Sequence, residues 1–195
     1  MSQDPTQELA DLLQAASRGD PAAWRELVAR YSRRVYALAK SRCRNDDVAE
    51  EIAQSVFATV AAKVGGGEYT EVGRFESWLF RVAMNRVRDT VRKARRRPES
   101  HDPEVLANQP GRREEAPAFD AGAVSRLRLA MEDLSEADRE IIELRHHGGL
   151  SFKQMSEVLE EPVGTLLARH HRALKKLRDA LEASEQKSAA EVDDE

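Results

Sequence analysis

The stretch SFKQMSEVLEEPVGTLLARHHRALKKLR, residues 151–178, divides into a helix, a tight turn and a second helix. Leu150, Met155, Val158 and Leu159 line the first helix, and Ser151 stands where an N-cap is needed. Pro162 starts the second, since a first-turn residue has no use for the N–H that proline lacks. There Val163, Leu166, His170, Leu174, Leu177 and Leu181 recur at three- and four-residue steps as a buried stripe, while Thr165, Arg169, Arg172 and Lys176 point the other way. That division suits a helix-turn-helix reader, whose second helix is gripped by its apolar side and offers its polar side to the major groove. A plain helical hairpin of a bundle carries the same pattern and is the alternative.

Working outward, the pattern extends to a C-terminal module at 123–183, with breaks at Leu134-Ser135, Gly148-Gly149 and Glu160-Glu161-Pro162. The stretch 184–195 is rich in carboxylates and reads as an acidic disordered tail. Upstream, Pro98, Pro103, Pro110 and Pro117 with scattered charges and no periodicity make 98–122 a flexible linker. Before it lies an N-terminal module at 8–97. A short helix from Glu8 to Ser17 ends at Arg18-Gly19-Asp20-Pro21, a second runs from Ala22 to about Arg44, a third from Asp47 to Val64, and a fourth from Arg74 to Arg97. The fold class is therefore all-α: two small helical domains joined by a flexible linker, the second a helix-turn-helix. Composition agrees, with 34% charged and 5% aromatic residues, and with Gly and Pro gathered at a few points.

The net charge of −4 would argue against nucleic acid if it were spread evenly, but it is not. From 81 to 97, Arg81, Arg86, Arg88, Arg92, Lys93, Arg95, Arg96 and Arg97 stand against the single acid Asp89. At 100° per residue, Arg81, Asn85, Arg88, Arg92 and Arg95 share one stripe. Phe75, Leu79, Val82, Ala83, Thr90 and Ala94 fall roughly opposite. Guanidinium groups at that spacing bind successive phosphates, and an amide such as Asn85 reads a base edge. A solvated charged face is the bland reading of the same stripe.

Other chemistry is not expected. No apolar run approaches the roughly 18–20 residues needed to span a bilayer, the N-terminus lacks a signal peptide's basic and apolar regions, and a cytoplasmic protein is expected. Cys43 stands alone as a structural thiol. His146 and His147 have no carboxylate or cysteine at ligand spacing, His170 reads as a packed core histidine, and His171 is a candidate phosphate contact. Neither metal nor cofactor is expected, the triple glycine Gly65-Gly66-Gly67 lacks a phosphate loop's Lys-Ser/Thr, and no nucleophile, base and oxyanion donor stand together. The chain does not read as an enzyme.

From about Leu12 to Leu181 the order of these features resembles the extracytoplasmic-function (ECF) group of bacterial sigma factors. RGDPAAWRELVARYSRRVYALA (18–39) is similar to the opening of the family's promoter-melting domain, and DVAEEIAQSVF (47–57) to its polymerase-binding helix. The resemblance implies that Asp47, Glu50, Glu51 and Gln54 face the β′ coiled coil of core RNA polymerase, with Ile52, Val56 and Phe57 buried behind them. It also implies that RFESWLFRVAMNRVRDTVRKARRR (74–97) captures the single-stranded −10 element. There Asn85, Phe75 and the loop before it would hold a flipped base, with Arg81, Arg88, Arg92 and Arg95 on the backbone. The second module then becomes the −35 reader, contacting DNA through Thr165, Arg169, Arg172 and Lys176. Two departures stand out: Glu160-Glu161 replaces the usual Gly and apolar residue at the turn, and Leu167 stands where a basic residue is common. The implied partners are core polymerase, promoter DNA and an anti-sigma protein. A stand-alone helix-turn-helix regulator and a sigma mimic that sequesters an anti-sigma protein are the competing readings.

Overall fold

The computed structural model describes residues 5–96 and 121–192, and of Pro5, Arg95, Ala121 and 185–192 it gives the backbone. Helices α1 (Pro5–Ser17), α2 (Pro21–Cys43), α3 (Asp46–Gly65) and α4 (Phe75–Arg96) form the first module. Helices α5 (Ala121–Glu132), α6 (Glu136–His146), α7 (Phe152–Leu159) and α8 (Val163–Val192) form the second. No strand occurs among the described residues. The linker expectation falls mostly on 97–120, outside the described residues, whereas 121–122 already belong to α5.

Each boundary has a local cause. Asp20 caps α2 by accepting from the Ala22 N–H at 2.8 Å, and Pro21 begins the helix. Asn45 caps α3 through the Val48 N–H at 3.0 Å, with Asp46 and Asp47 favourably placed in the first turn. Ser151 and Gln154 build a reciprocal capping box at the start of α7: the Gln154 N–H donates to Ser151 Oγ at 3.2 Å, and the Ser151 N–H donates to Gln154 Oε1 at 2.8 Å. The last helix runs through Val192, beyond the end near Ala183 expected from sequence. The extra turns, SEQKSAAEV, hold good helix formers with neither Gly nor Pro to stop them, so an acidic composition did not make a break.

The buried residues do not divide at the linker. Leu27, Tyr31, Val35 and Leu38 of α2, Ile52, Val56 and Val60 of α3, and Leu79, Phe80, Ala83, Met84 and Val87 of α4 make the first module's core. That cluster continues without a gap into Ile141, Leu144, Leu150, Met155, Val158 and Leu166 of the second. A small separate cluster of Ala130, Leu134, Ile142, Ala173 and Leu177 ties α5 to α6 and α8. On α4 the inward face is Phe75, Leu79, Phe80, Ala83, Met84 and Val87, while Val82 and Thr90 are only half-buried and Ala94 is exposed. The stripe is wider than the sequence suggested because α4 packs on two sides, against α2 and α3 and against α7.

Polar groups close the seam between the modules. Arg34 of α2 donates from Nε and Nη2 to the Gly148 carbonyl at 2.8 and 2.5 Å, and from Nη1 to Glu76 at 2.9 Å. The other Glu76 oxygen accepts from Gln154 Nε2 at 2.6 Å. Gly149 lies under the Arg34 guanidinium with φ of 65°, a left-handed turn in which an added Cβ would come within 3.4 Å of Arg34 Nε. Arg42, its side chain 3% exposed, sits between Glu136 at 2.8 Å and Glu143 at 3.5 Å.

Candidate nucleic-acid interface

Helix α4 carries its basic residues on the side left by its apolar ones. Asn85 and Arg92 are exposed, and Arg92 pairs with Asp89 within the helix at 2.9 Å. Arg88 is engaged by the second module: Nε and Nη2 donate to the two oxygens of Glu140 at 2.7 and 2.6 Å, a bidentate pair in which the carboxylate is 9% exposed. That hydrogen bonding raises the Arg88 pKa further and keeps the guanidinium charged. Arg81 donates to the Glu157 carbonyl and lies 3.3 Å from Glu160. The Arg95 side chain is outside the described residues.

Phe75 corrects an expectation. At 2% exposure its ring lies among Tyr31, Tyr69 and Trp78, with centroids 5.5, 5.7 and 5.9 Å away, so it floors the module and offers no face to a base. The loop before it is shaped by Glu71, whose Oε1 accepts from the Gly73 and Arg74 N–H groups while Oε2 accepts from the Tyr69 hydroxyl at 2.6 Å. Tyr69 stacks on Trp78 at 4.5 Å, and Val72 stands out into solvent.

In the second module α7 and α8 form the helix-turn-helix. Leu166, Ala173 and Leu177 are buried and His170 and Leu181 half-buried, but Val163 and Leu174 are exposed, Leu174 by 41%. Ala173 takes the inward place assigned to Leu174, because the true stripe 166, 170, 173, 177 drifts one position relative to the one read from the large side chains. His170 packs on the rings of His146 and Phe152 at 5.7 and 5.3 Å, as a core histidine does. Burial first, then the neighbouring His146, Arg145 and His171, lowers its pKa.

Thr165, Arg172 and Lys176 are exposed on the outer face of α8. Arg169 is half-buried and held by Glu161 at 2.8 Å, and Lys176 lies 3.6 Å from Asp138. The turn residues Glu160 and Glu161 therefore each take one of the basic side chains assigned to DNA. Glu160 occupies the left-handed C-cap of α7 with φ of 59°, a conformation that favours glycine.

On α3, Asp47, Glu50, Glu51 and Gln54 are exposed along one edge, with Ala49, Ile52 and Val56 buried behind and Phe57 half-buried. Cys43 is half-buried, and burial pushes its thiol up to about 11, which keeps it unreactive. Sequence reasoning missed the seam residues Arg34, Arg42, Glu76, Glu140, Glu143 and Gln154. The one available signal was Glu140 and Glu143 set among the apolar Ile141, Ile142 and Leu144, which places carboxylates beside a core but names no partner. Among the described residues no group of three or more His, Cys, Asp and Glu could hold a metal ion, and no helix is long and apolar enough to cross a membrane.

Comparison with known proteins follows the same division. Residues 27–97 match the family described as sigma-70 region 2, and residues 125–177 match sigma-70 region 4. The chain is 32% identical over 186 residues to the ECF RNA polymerase sigma factor SigE of Mycolicibacterium smegmatis, covering 91% of this chain and 70% of the relative. To SigD of Mycobacterium tuberculosis it is 33% identical, covering 82% and 74%. To the ECF sigma-E factor of Salmonella typhimurium it is 27% identical, covering 89% and 93%. Two solved structures share the fold. CnrH in complex with the cytosolic domain of CnrY has a TM-score of 0.67 at 23% identity, covering 89% of this chain and 97% of that one. The sigma factor RpoE of Bartonella quintana, in complex with the anti-sigma factor NepR, has a TM-score of 0.62 at 21% identity, covering 81% and 96%.

Proposed function

This chain belongs to the extracytoplasmic-function sigma factors, which direct RNA polymerase to promoters, and we propose a division of that work among its residues. Asp47, Glu50, Glu51 and Gln54 of α3 dock on the β′ coiled coil of core polymerase. Their exposed acidic and amide groups, backed by buried Ala49, Ile52 and Val56, support this reading. Arg81, Asn85, Arg88, Arg92 and Arg95 of α4 hold the melted −10 strand, the arginines on phosphates and Asn85 on a base edge. Thr165, Arg169, Arg172 and Lys176 of α8 read the −35 duplex in the major groove.

The observation that carries the assignment is that one chain presents, in this order, an exposed acidic helix edge, a basic ridge with an exposed amide, and a helix-turn-helix. Strand capture needs no nucleotide hydrolysis. Unstacked bases are available only in single strands, so a helix that binds the melted state better than the duplex shifts the equilibrium toward it. The chain then works in the cytoplasm, has no catalytic activity of its own, and is governed by an anti-sigma protein, a reading supported by the complex of the Bartonella sigma factor with NepR. The domains by this reading are 8–97 for polymerase and the −10 element and 123–183 for the −35 element.

The test is runoff transcription with purified core polymerase on a genomic fragment library, with the wild type and with Asn85→Ala and Arg169→Ala. Transcripts that need the protein and share two spaced elements are expected. A single lost base or phosphate contact costs about 1–3 kcal/mol, so each variant should lower output by roughly tenfold at its own element. Duplex binding without polymerase-dependent transcripts would replace this reading with a stand-alone regulator.

A further inference from the structure

We infer that the carboxylates of the second module stand in for promoter phosphates and hold the free chain in a closed, self-masked form. This inference rests on the assignment of the α4 ridge to the −10 strand. Arg88 is clasped along one guanidinium edge, Nε and Nη2, by the two oxygens of Glu140, and Arg81 is taken by Glu160 and by the Glu157 carbonyl. Arg169, on the other reading face, is taken by Glu161. All of these acceptors belong to α6, α7 or the turn after α7, and the contacts to α4 cross the seam between the modules. A guanidinium edge held by a carboxylate cannot grip a phosphate at the same time, so strand and seam compete for the donors of that edge.

The masking is selective. Asp47, Glu50, Glu51 and Gln54 lie exposed on α3, so the closed form presents the polymerase face while Arg81 and Arg88 are engaged at the seam. Binding therefore has an order: the chain meets the polymerase closed, and the strand is captured only once the modules separate. Glu160 gives this scheme its sharpest handle. It sits in a left-handed turn that glycine occupies with less strain, and an acid is retained there that reaches Arg81 across the seam.

The experiment compares the full-length chain with Glu140→Gln/Glu160→Gly/Glu161→Gln and with a control, Glu26→Gln/Glu68→Gln/Glu182→Gln, that removes the same charge elsewhere on the exposed surface. Small-angle X-ray scattering reads the radius of gyration, and fluorescence anisotropy reads binding of a labelled single-stranded 15-mer. The latch variant is expected to expand relative to wild type and to bind the oligonucleotide roughly tenfold more tightly than the control, since three partly exposed ion pairs each contribute a few-fold at most. An unchanged radius with control-like affinity overturns the latch while leaving the ridge assignment to the transcription assay. Expansion without a gain over the control overturns the competition itself, because the exposed ridge then does not take the strand. If the triple variant melts early, Glu140→Gln alone, nearly isosteric, is held to the same two outcomes at about threefold.

Discussion

Glu143 shows how a single side chain couples the seam to pH. It is 1% exposed, and burial pushes its carboxyl up to about 7 against the opposing pull of Arg42 and Arg139. A carboxylate at 3.5 Å from a buried arginine would ordinarily be held low, so desolvation is the larger influence here. A raised folded-state value means that the proton is held more tightly in the folded chain. Its contribution to stability is fully present below about pH 4.5 and is lost as pH rises through about 7. His147 and His170, both lowered chiefly by burial, act in the opposite sense: their contribution is present above the ordinary histidine range and falls away in acid. The informative quantity is thus the difference between wild type and Glu143→Gln. In thermal melts from pH 5 to 8 the wild type should lose stability relative to the variant as pH rises. A difference that does not change with pH would show that Glu143 ionises normally.

At the scale of elements, the turn between α7 and α8 carries strain that the capping box at the start of α7 does not. A non-glycine residue in the left-handed region costs on the order of 1 kcal/mol, while the Glu160–Arg81 pair, exposed on both sides, contributes a fraction of that. Glu160→Gly should therefore raise the free energy of unfolding by roughly 0.5–1 kcal/mol in a denaturant titration, even though it removes an ion pair. A fall of that size would mean that the pair outweighs the backbone. The helix-turn-helix was legible in sequence because caps, Pro162 and apolar spacing are local signals. The inward place of Ala173 was not, since a small side chain gives no hydrophobic signal and only the crossing of α8 over α6 selects it. For Phe75 the helical spacing was the better guide: it put the ring on the apolar face of α4, where Tyr31, Tyr69 and Trp78 surround it, and only the family resemblance implied a contact with a base.

For the whole molecule, the continuity of the core across the seam decides how the chain unfolds. Met155 is fully buried in the cluster that also holds Phe80 and Met84, so its truncation removes packing from both modules at once. Met155→Ala should cost about 2–5 kcal/mol. By weakening the seam more than either module, it should turn one calorimetric transition into two. A single transition lowered as a unit would mean that the modules stay coupled through the polar contacts of Arg34, Arg42 and Arg88 alone.

The sequence by itself determined the helices, their caps, the two modules and the placing of basic residues opposite apolar ones on α4 and α8, because each depends on residues within a turn or two of one another. It also marked Glu160-Glu161 as out of pattern. Only the tertiary structure decided what Glu160 and Glu140 touch: their partners, Arg81 and Arg88, stand on a helix 52 or more positions away. Contacts at that separation leave no periodicity to read. They arise because two apolar faces, each unable to bury itself fully within its own module, close on each other and bring opposite charges along the seam within reach.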